Sequence, residues 1–516
     1  MENDLNKSVP KILIIDFGSQ YTQVIGRTLR ELGFRSVILP NDKAVNWLEK
    51  NNPCAIILSG GHGSVNSSDS PKIPEIVWQK RVPILGICYG MQYIAKFFGG
   101  EVFSSQDSIE YGPAKINIDN SNELFIGMDD VQDVWMSHGD TVKSLPEGFK
   151  SIASSENYKN CAIYSENKNI WAVQFHPEVT HTKNGREMLR NFVKNICNCS
   201  EDWFPENIIS NIRNHIKNNY NDKKVLIGFS GGVDSVTLTA VLSPIFGKNL
   251  IAFCLDAGQF RIGELDYIEK TAKNLGVSFK LVDKSIELEE KIKNVINSQE
   301  KRMVFRDVYR NAFNEAVKKF SIDLIAQGSL ATDFIESGAK GQGSTIKTHH
   351  NIGLNMQVEQ IHPFRDLFKY EVRELAERLD LGDEVVNREP FPGPGLILRV
   401  VGDSVTKERL DLVRFADDVV RNTLKKHNLL NKQDISQLVV YLLAGVKLVG
   451  IKGDNRVYDS PIVVRGIKTV DFMTGDGVQL PRNVRKEIIL SITKHKDVSR
   501  VMFDETPKPP ATTEPE

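Results

Sequence analysis

Short apolar runs that alternate with helical stretches, twice over in one chain, constrain the fold more than any other feature. Ile12-Leu-Ile-Ile15 is apolar throughout, and Ser36 to Leu39, Ala55 to Leu58 and Ile84-Leu-Gly-Ile87 repeat the pattern. A strand with one wet face alternates apolar and polar residues, so continuous runs like these belong to strands covered on both faces. Helical stretches lie between them, the first following Phe17-Gly-Ser-Gln and reaching about Glu31. The series predicts a parallel sheet with helices on both sides. Val134-Trp-Met136 and Trp171-Ala-Val-Gln-Phe175 add later strands. The polar stretch from Cys197 to Pro205 reads as a boundary, and a helix from about Glu206 to Tyr220 follows it. The series then restarts at Lys224-Val-Leu-Ile-Gly228 and continues through Leu250–Cys254, Phe279–Val282 and Leu324–Ala326. Pro390-Phe-Pro-Gly-Pro-Gly395 has too many fixed φ angles and too few donors for a helix or central strand, and reads as a stiff loop near a second boundary. Beyond it lie an amphipathic helix (about Lys407–His427) and the strands Leu438–Leu442 and Ile462–Val464. The expected class is α/β: two doubly wound parallel-sheet domains, residues 1–196 and 197–395, then a small α+β domain over 396–516. The length of 516 residues suits that number of domains at roughly 100–200 residues each.

Charge excludes some functions. Lys and Arg number 65 against 66 Asp and Glu, a net charge of -1, so nothing draws the chain to nucleic acid or an anionic membrane. No apolar run approaches the roughly 18 residues of a membrane span, and Met1-Glu-Asn-Asp-Leu-Asn-Lys-Ser has no apolar signal core. The six cysteines (54, 88, 161, 197, 199 and 254) make no disulfide framework and read as reduced thiols of a cytoplasmic protein. Cys197-x-Cys199 lacks the further ligands a zinc site needs.

Gly86-Ile-Cys88-Tyr-Gly90 follows a buried strand and precedes a helix (Met91–Phe98). The glycines permit a sharp turn that presents the thiol, and the helix N-terminus favours thiolate. Gln174-Phe-His176-Pro-Glu178 ends another predicted strand, where residues two apart share a face. His176 would then be the general base for Cys88, and Glu178 would hold its tautomer. Leu58-Ser-Gly60-Gly61 is a glycine-rich loop; Gly60 and Tyr89 are the candidate backbone donors to an oxyanion. With Trp135-Met-Ser-His138-Gly-Asp140 and His181, this pattern resembles the class I glutamine amidotransferase domain across residues 11–195, which implies release of ammonia from glutamine. His62 stands where that family usually has proline.

Ser230-Gly231-Gly232-Val233-Asp234-Ser235 follows the strand Val225–Phe229 and leads into a helix, Val236–Leu242. Its glycines let backbone N–H groups approach a polyphosphate, whose charge the helix N-terminus favours. It lacks the Gly-Lys-Ser/Thr ending of a Walker A loop and resembles the loop of the N-type ATP pyrophosphatases. By that resemblance Ser230 and Ser235 contact phosphate and Asp234 helps hold Mg²⁺. Leu255-Asp256-Ala-Gly258 ends the next strand, where doubly wound folds bind nucleotides. Ala326-Gln327-Gly328 and Ile346-Lys347-Thr-His349-His350-Asn351 complete the set. Lys347 would meet charge on leaving pyrophosphate, and His349-His350 reads as substrate or loop contacts rather than a metal pair.

A triad glutaminase, this ATP loop and a third domain together resemble the GMP synthetase family. Further matches are Pro390–Gly395, Gly453-Asp454-x-Arg456-x-Tyr458, Asp471-Phe-Met-Thr474 and Lys508-Pro-Pro-Ala-Thr512. The resemblance implies that ATP adenylates the C2 oxygen of XMP and that ammonia displaces AMP to give GMP. It also implies a homodimer, and an acceptor site involving Arg302, Pro392, Gly393, Pro394, Gly395, Lys508 and Glu514. The chain departs from the family on that acceptor side: Glu389 for a usual histidine, Gly353-Leu354 for Gly-Gly, Ser329–Asp333, Gly477, and a tail of Thr513-Glu-Pro-Glu516. A related oxo-purine nucleotide therefore stays open as the acceptor. The tail lacks an aromatic anchor, a side chain that typically buries about 150–250 Å², and is expected to be loose.

Overall fold

The computed structural model describes residues 11–19, 21–61, 63–104, 110–331, 333, 356–391, 393–431, 433–469, 475–508 and 510–516. The chain forms two compact units, one ending at Ile208 and one running from Ile209 to Glu516.

In the first unit the apolar runs become neighbours in a nine-stranded sheet. Ser36–Pro40, Ile12–Phe17, Ala55–Gly61, Ile84–Ile87 and Ile170–Val173 lie parallel in that order. Their continuous apolarity has the expected cause. Ile12 and Ile14 pack on one face with Ile25, Leu29 and Phe192, while Leu13 and Ile15 pack on the other with Ala44, Leu48 and Ile94. Each such side chain removed from water stabilises the fold by about 1.5–3 kcal/mol. Ala162–Ser165, Lys150–Ser155, Glu110–Ile118 and Val131–His138 extend the sheet antiparallel. Val131–His138 buries every second residue, the pattern of a sheet with one wet face.

The cysteines differ from expectation at one pair. Cys54, just before Ala55–Gly61, and Cys199, beyond the last helical turns of the unit, form a disulfide with Cα atoms 5.8 Å apart. Packing of two distant segments creates that proximity, so spacing in the sequence could not announce it. Cys88, Cys161, Cys197 and Cys254 are free thiols.

The second unit carries a five-stranded sheet in the order Ser278–Asp283, Leu250–Asp256, Val225–Gly228, Leu324–Ala326, Glu359–Ile361. All neighbours are parallel. The chain winds outward from Val225–Gly228 to one edge and then returns to its other side. That reversal opens a crevice at the carboxyl ends of the strands, where ligands of such folds bind. Ser230–Ser235 lies there. The same unit contains a smaller α+β portion in which Gln437–Leu443 pairs antiparallel with Ile462–Lys468, beside the helices Lys407–Lys426 and Arg482–Ile492. One apolar cluster runs through the unit from Leu226 to Val498. Among the described residues no helix is long and apolar enough to cross a membrane.

Candidate active sites

Cys88 stands between the strand Ile84–Ile87 and the helix Tyr89–Phe97 with φ 52° and ψ -105°. That left-handed backbone is strained for any residue with a side chain and recurs where function demands it. Close packing makes both neighbouring glycines necessary. A Cβ on Gly90 would lie 2.5 Å from the Leu58 carbonyl oxygen, and one on Gly86 2.6 Å from Ile94 Cδ1. The Cys88 N–H donates to the Val173 carbonyl (2.8 Å), tying the turn to the strand that leads to His176.

His176 and Glu178 come together as expected, at 2.7 Å from Nδ1 to Oε1. Their platform is different: the strand ends at Val173, and both residues sit in the following turn. Other bonds hold the ring. His176 N–H donates to the Trp135 carbonyl (3.0 Å), Thr182 Oγ1 donates to the His176 carbonyl (2.6 Å), and Tyr21 packs edge-on at 4.9 Å between ring centroids. Burial alone would lower the His176 pKa. Hydrogen bonds to Cys88 and Glu178, and the negative charge on each, outweigh burial and raise it to about 10. The imidazole of His176 therefore holds its proton at neutral pH, beside the Cys88 sulfur. Gln174 Nε2 donates toward Cys88 Sγ (3.7 Å), and the thiol faces the Ser137 carbonyl at 3.5 Å.

A Cβ on Gly60 would lie 3.2 Å from His176 Cε1, so this glycine borders the catalytic ring. Tyr89 is the first residue of its helix, so its N–H has no intrahelical acceptor. Both residues thus lie beside the catalytic pair, Gly60 against the His176 ring and Tyr89 next to Cys88 in the chain. His62 lies outside the described residues.

In the second unit the phosphate-type loop is tighter than the sequence suggests, because its helix begins at Val233 and runs to Phe246. Asp234 and Ser235 thus occupy the first helical turn. Ser235 Oγ accepts from Ser230 N–H (3.2 Å) and donates to the Gly232 carbonyl (3.0 Å). Gly231 has φ 74°, and a Cβ there would meet Ile268 Cγ1 at 2.7 Å. Lys369 Nζ lies 2.5 Å from Asp234 Oδ2, while Asp234 Oδ1 is buried with no hydrogen-bond partner. A carboxylate oxygen left bare at a phosphate-type loop suits a hard cation, so the residues present fit Mg²⁺. Sequence reasoning missed Lys369, which lies 135 residues from Asp234. Asp256 Oδ1 accepts from Gly258 N–H (2.8 Å), and burial raises its carboxyl pKa above the usual range. The Gly258 carbonyl accepts from Arg414. Lys347, His349, His350 and Gly353-Leu354 lie outside the described residues.

On the acceptor side, Gly395 has φ 52° and a Cβ there would lie 2.4 Å from the Gln259 carbonyl oxygen. Pro394 precedes the 3-10 turn Gly395–Arg399, with Gly393 before it; Pro392 lies outside the described residues. Glu389 is buried in an ionic network. It meets Arg421 at 2.5 Å and Arg261 at 2.8 Å, and accepts from Leu438 N–H at 3.1 Å. Burial would raise its carboxyl pKa, and the two guanidinium groups outweigh that and hold it below the usual range. Asp417 links Arg421 (2.6 Å) to Arg399 (3.0 Å), and Arg261 stacks over Phe391 at 4.1 Å.

The tail corrects the expectation of looseness. Glu514 pairs with Arg399 through both oxygens (3.1 and 3.2 Å). Glu516 binds fully buried Lys301 (2.6 Å) and the Gly402 N–H (3.1 Å), and its carbonyl accepts from Arg302. Charge-assisted hydrogen bonds do what an aromatic anchor would have done. Lys508 pairs through its backbone with Gly475 and donates from Nζ to Thr513 Oγ1 (3.2 Å).

Comparison with known proteins agrees with both halves. Family models for class-I glutamine amidotransferase, asparagine synthase and the GMP synthase C-terminal domain match residues 13–196, 217–314 and 422–515. The glutamine-hydrolysing GMP synthase of Brachyspira hyodysenteriae is 41% identical over 99% of this chain and 100% of its own. The chain belongs to the glutamine-hydrolysing GMP synthase family. The family's enzymes from Saccharomyces cerevisiae (41% identical over 98% of this chain and 97% of theirs) and Bacillus subtilis (40%, with 98% of each covered) show the same full-length similarity.

Proposed function

We propose that this protein makes GMP from XMP, using ATP and the amide nitrogen of glutamine. The observation that carries the reading is the presence, in one chain of this family, of the Cys88–His176–Glu178 constellation and the Ser230–Ser235 loop with Asp234 bare on one oxygen.

Cys88 thiolate attacks the glutamine amide carbon, and the oxyanion is met by the N–H groups of Tyr89 and Gly60. His176 gives its proton to the departing nitrogen, releasing ammonia and leaving a thioester. The now neutral His176 takes a proton from water, which attacks the thioester and frees glutamate and Cys88. In the second unit Ser230–Ser235 cradles the ATP phosphates, and Asp234 would hold Mg²⁺, which supplies positive charge for the phosphate oxygens. Lys369 and Lys347 add cations for pyrophosphate. Asp256 and Gly258 border the nucleotide. The C2 oxygen of XMP attacks the α-phosphorus and pyrophosphate leaves; ammonia then attacks C2 and AMP leaves. Gly393, Pro394, Gly395 and Lys508, and by the family resemblance Pro392, are the residues assigned to the acceptor, whereas Arg302 and Glu514 act through the tail. A cytoplasmic homodimer is part of the same proposal.

The test supplies Mg-ATP and ammonium with one nucleotide at a time and measures AMP. XMP is expected to support AMP formation; AMP formed with another oxo-purine nucleotide and none with XMP would overturn the reading.

A further inference from the structure

Beside the nucleophile lies a polar pair that the mechanism above does not use. The strand Val131–His138 ends next to Cys88, whose thiol faces the Ser137 carbonyl at 3.5 Å. His138 is the following residue, and strand register sets it opposite Glu110 on Glu110–Ile118. The His138 side chain is 1% exposed, and its Nε2 lies 3.6 Å from Glu110 Oε2, too far for a hydrogen bond. Neither His138 ring nitrogen makes a well-formed hydrogen bond, and Glu110 Oε2 is likewise buried without one. The Asp140 main chain and the edge of Tyr158 border the imidazole, and Asn157 bonds the Glu110 carboxyl. Among the described residues no lysine or arginine forms an ion pair with Glu110.

A desolvated carboxylate oxygen with no donor is costly, and such groups in native proteins call for a partner. Burial has two consequences here. It raises the Glu110 pKa, and it lowers that of His138 to about 4, so the neighbouring imidazole carries no charge at neutral pH. A cation for Glu110 can therefore come from a ligand. Glutamine brings one: with its amide carbon at Cys88, its α-nitrogen lies about 5 Å away along the extended side chain. Strand pairing puts Glu110 beside the end of Val131–His138, the strand whose Ser137 carbonyl meets the Cys88 thiol.

The geometry points to Glu110 as the acceptor for the α-ammonium group of glutamine, with His138 as the positioning residue that packs against its carboxylate. This rests on the glutaminase reading of Cys88 and adds a reason the site takes a free amino acid rather than any primary amide. Binding an ammonium through a buried carboxylate also recovers the cost of that oxygen, so affinity falls when either member is removed.

The experiment compares wild type with Glu110→Gln, using L-glutamine and its analogue lacking the amino group, 4-carbamoylbutanoate. Alkylation of Cys88 by iodoacetamide, which has no amino-acid end, reports whether the nucleophile is intact in each protein. The wild type is expected to prefer glutamine strongly. In Glu110→Gln the KM for glutamine is expected to rise roughly tenfold to a hundredfold, with a smaller fall in kcat. The preference over the deaminated analogue should shrink by a similar factor while alkylation proceeds at the wild-type rate. An unchanged KM and unchanged preference would overturn the assignment. Loss of alkylation in Glu110→Gln would show that the residue supports the fold instead and also overturn it. Absence of glutamine hydrolysis by wild type would sink the glutaminase reading itself, a separate result.

Discussion

At Cys88 a single residue joins backbone strain, a helix N-terminus and an imidazole that holds the proton. The His176 pKa is raised to about 10, above the ordinary 6.5. Protonated His176 therefore stabilises the fold fully below about pH 6.5, and that contribution disappears as pH rises through 10. The same proton is the one delivered to departing ammonia. Glutamine hydrolysis is expected to persist through the neutral range and to fall as pH passes about 10; a pH–rate profile that falls near 7 instead would contradict the proton placement. The triad was legible because each member sits in a short motif with its own local reason. Lys369 and Tyr21 were not, since each acts only through a fold that brings distant segments together; Gln174 stood in the His176 motif, but its approach to Cys88 needed the fold. His138 stood inside a recognised motif, but its role needed Glu110 opposite it, and nothing local announces a strand partner.

At the scale of elements, the runs that are apolar on both faces predicted the parallel strands well, and the helices Thr22–Glu31, Pro205–Tyr220 and Lys407–Lys426 fall close to where periodicity places them. Less was legible where two kinds of element read alike. The stretch through Phe175 continues the apolar pattern of its strand, yet the chain turns after Val173 to bring His176 to Cys88. The helix after the phosphate-type loop begins at Val233, earlier than expected, because a loop closed by Ser235 is also a helix start. The tail shows the largest difference. The sequence shows the tail short of apolar anchors, and only the fold reveals that Arg399, Lys301 and Arg302 await its glutamates. Asp417 is buried between the buried Arg399 and the mostly buried Arg421. Removing its charge leaves guanidinium groups desolvated and underpaired, which costs about 3–5 kcal/mol. Asp417→Ala is expected to lower the unfolding free energy by that much, seen as a lower denaturant midpoint, and to raise the KM for XMP by freeing the tail; a variant as stable as wild type would show the network to be dispensable.

Over the whole molecule, the two units divide the chemistry, one holding a nucleophile for an amide and the other a cradle for a polyphosphate. Full-length similarity to the GMP synthases argues that they serve one reaction. The acceptor was the least legible part, because Glu389 and the tail break the family pattern in sequence while the structure closes them into one neutralised network. The division of labour makes the sharpest demand on Cys88→Ala. With Mg-ATP, XMP and glutamine labelled in its amide nitrogen, wild type should form labelled GMP, and Cys88→Ala should form at least about a thousandfold less. With ammonium in place of glutamine, the same variant should make GMP at close to the wild-type rate. Labelled GMP from Cys88→Ala, or loss of the ammonium-driven reaction as well, would contradict the account.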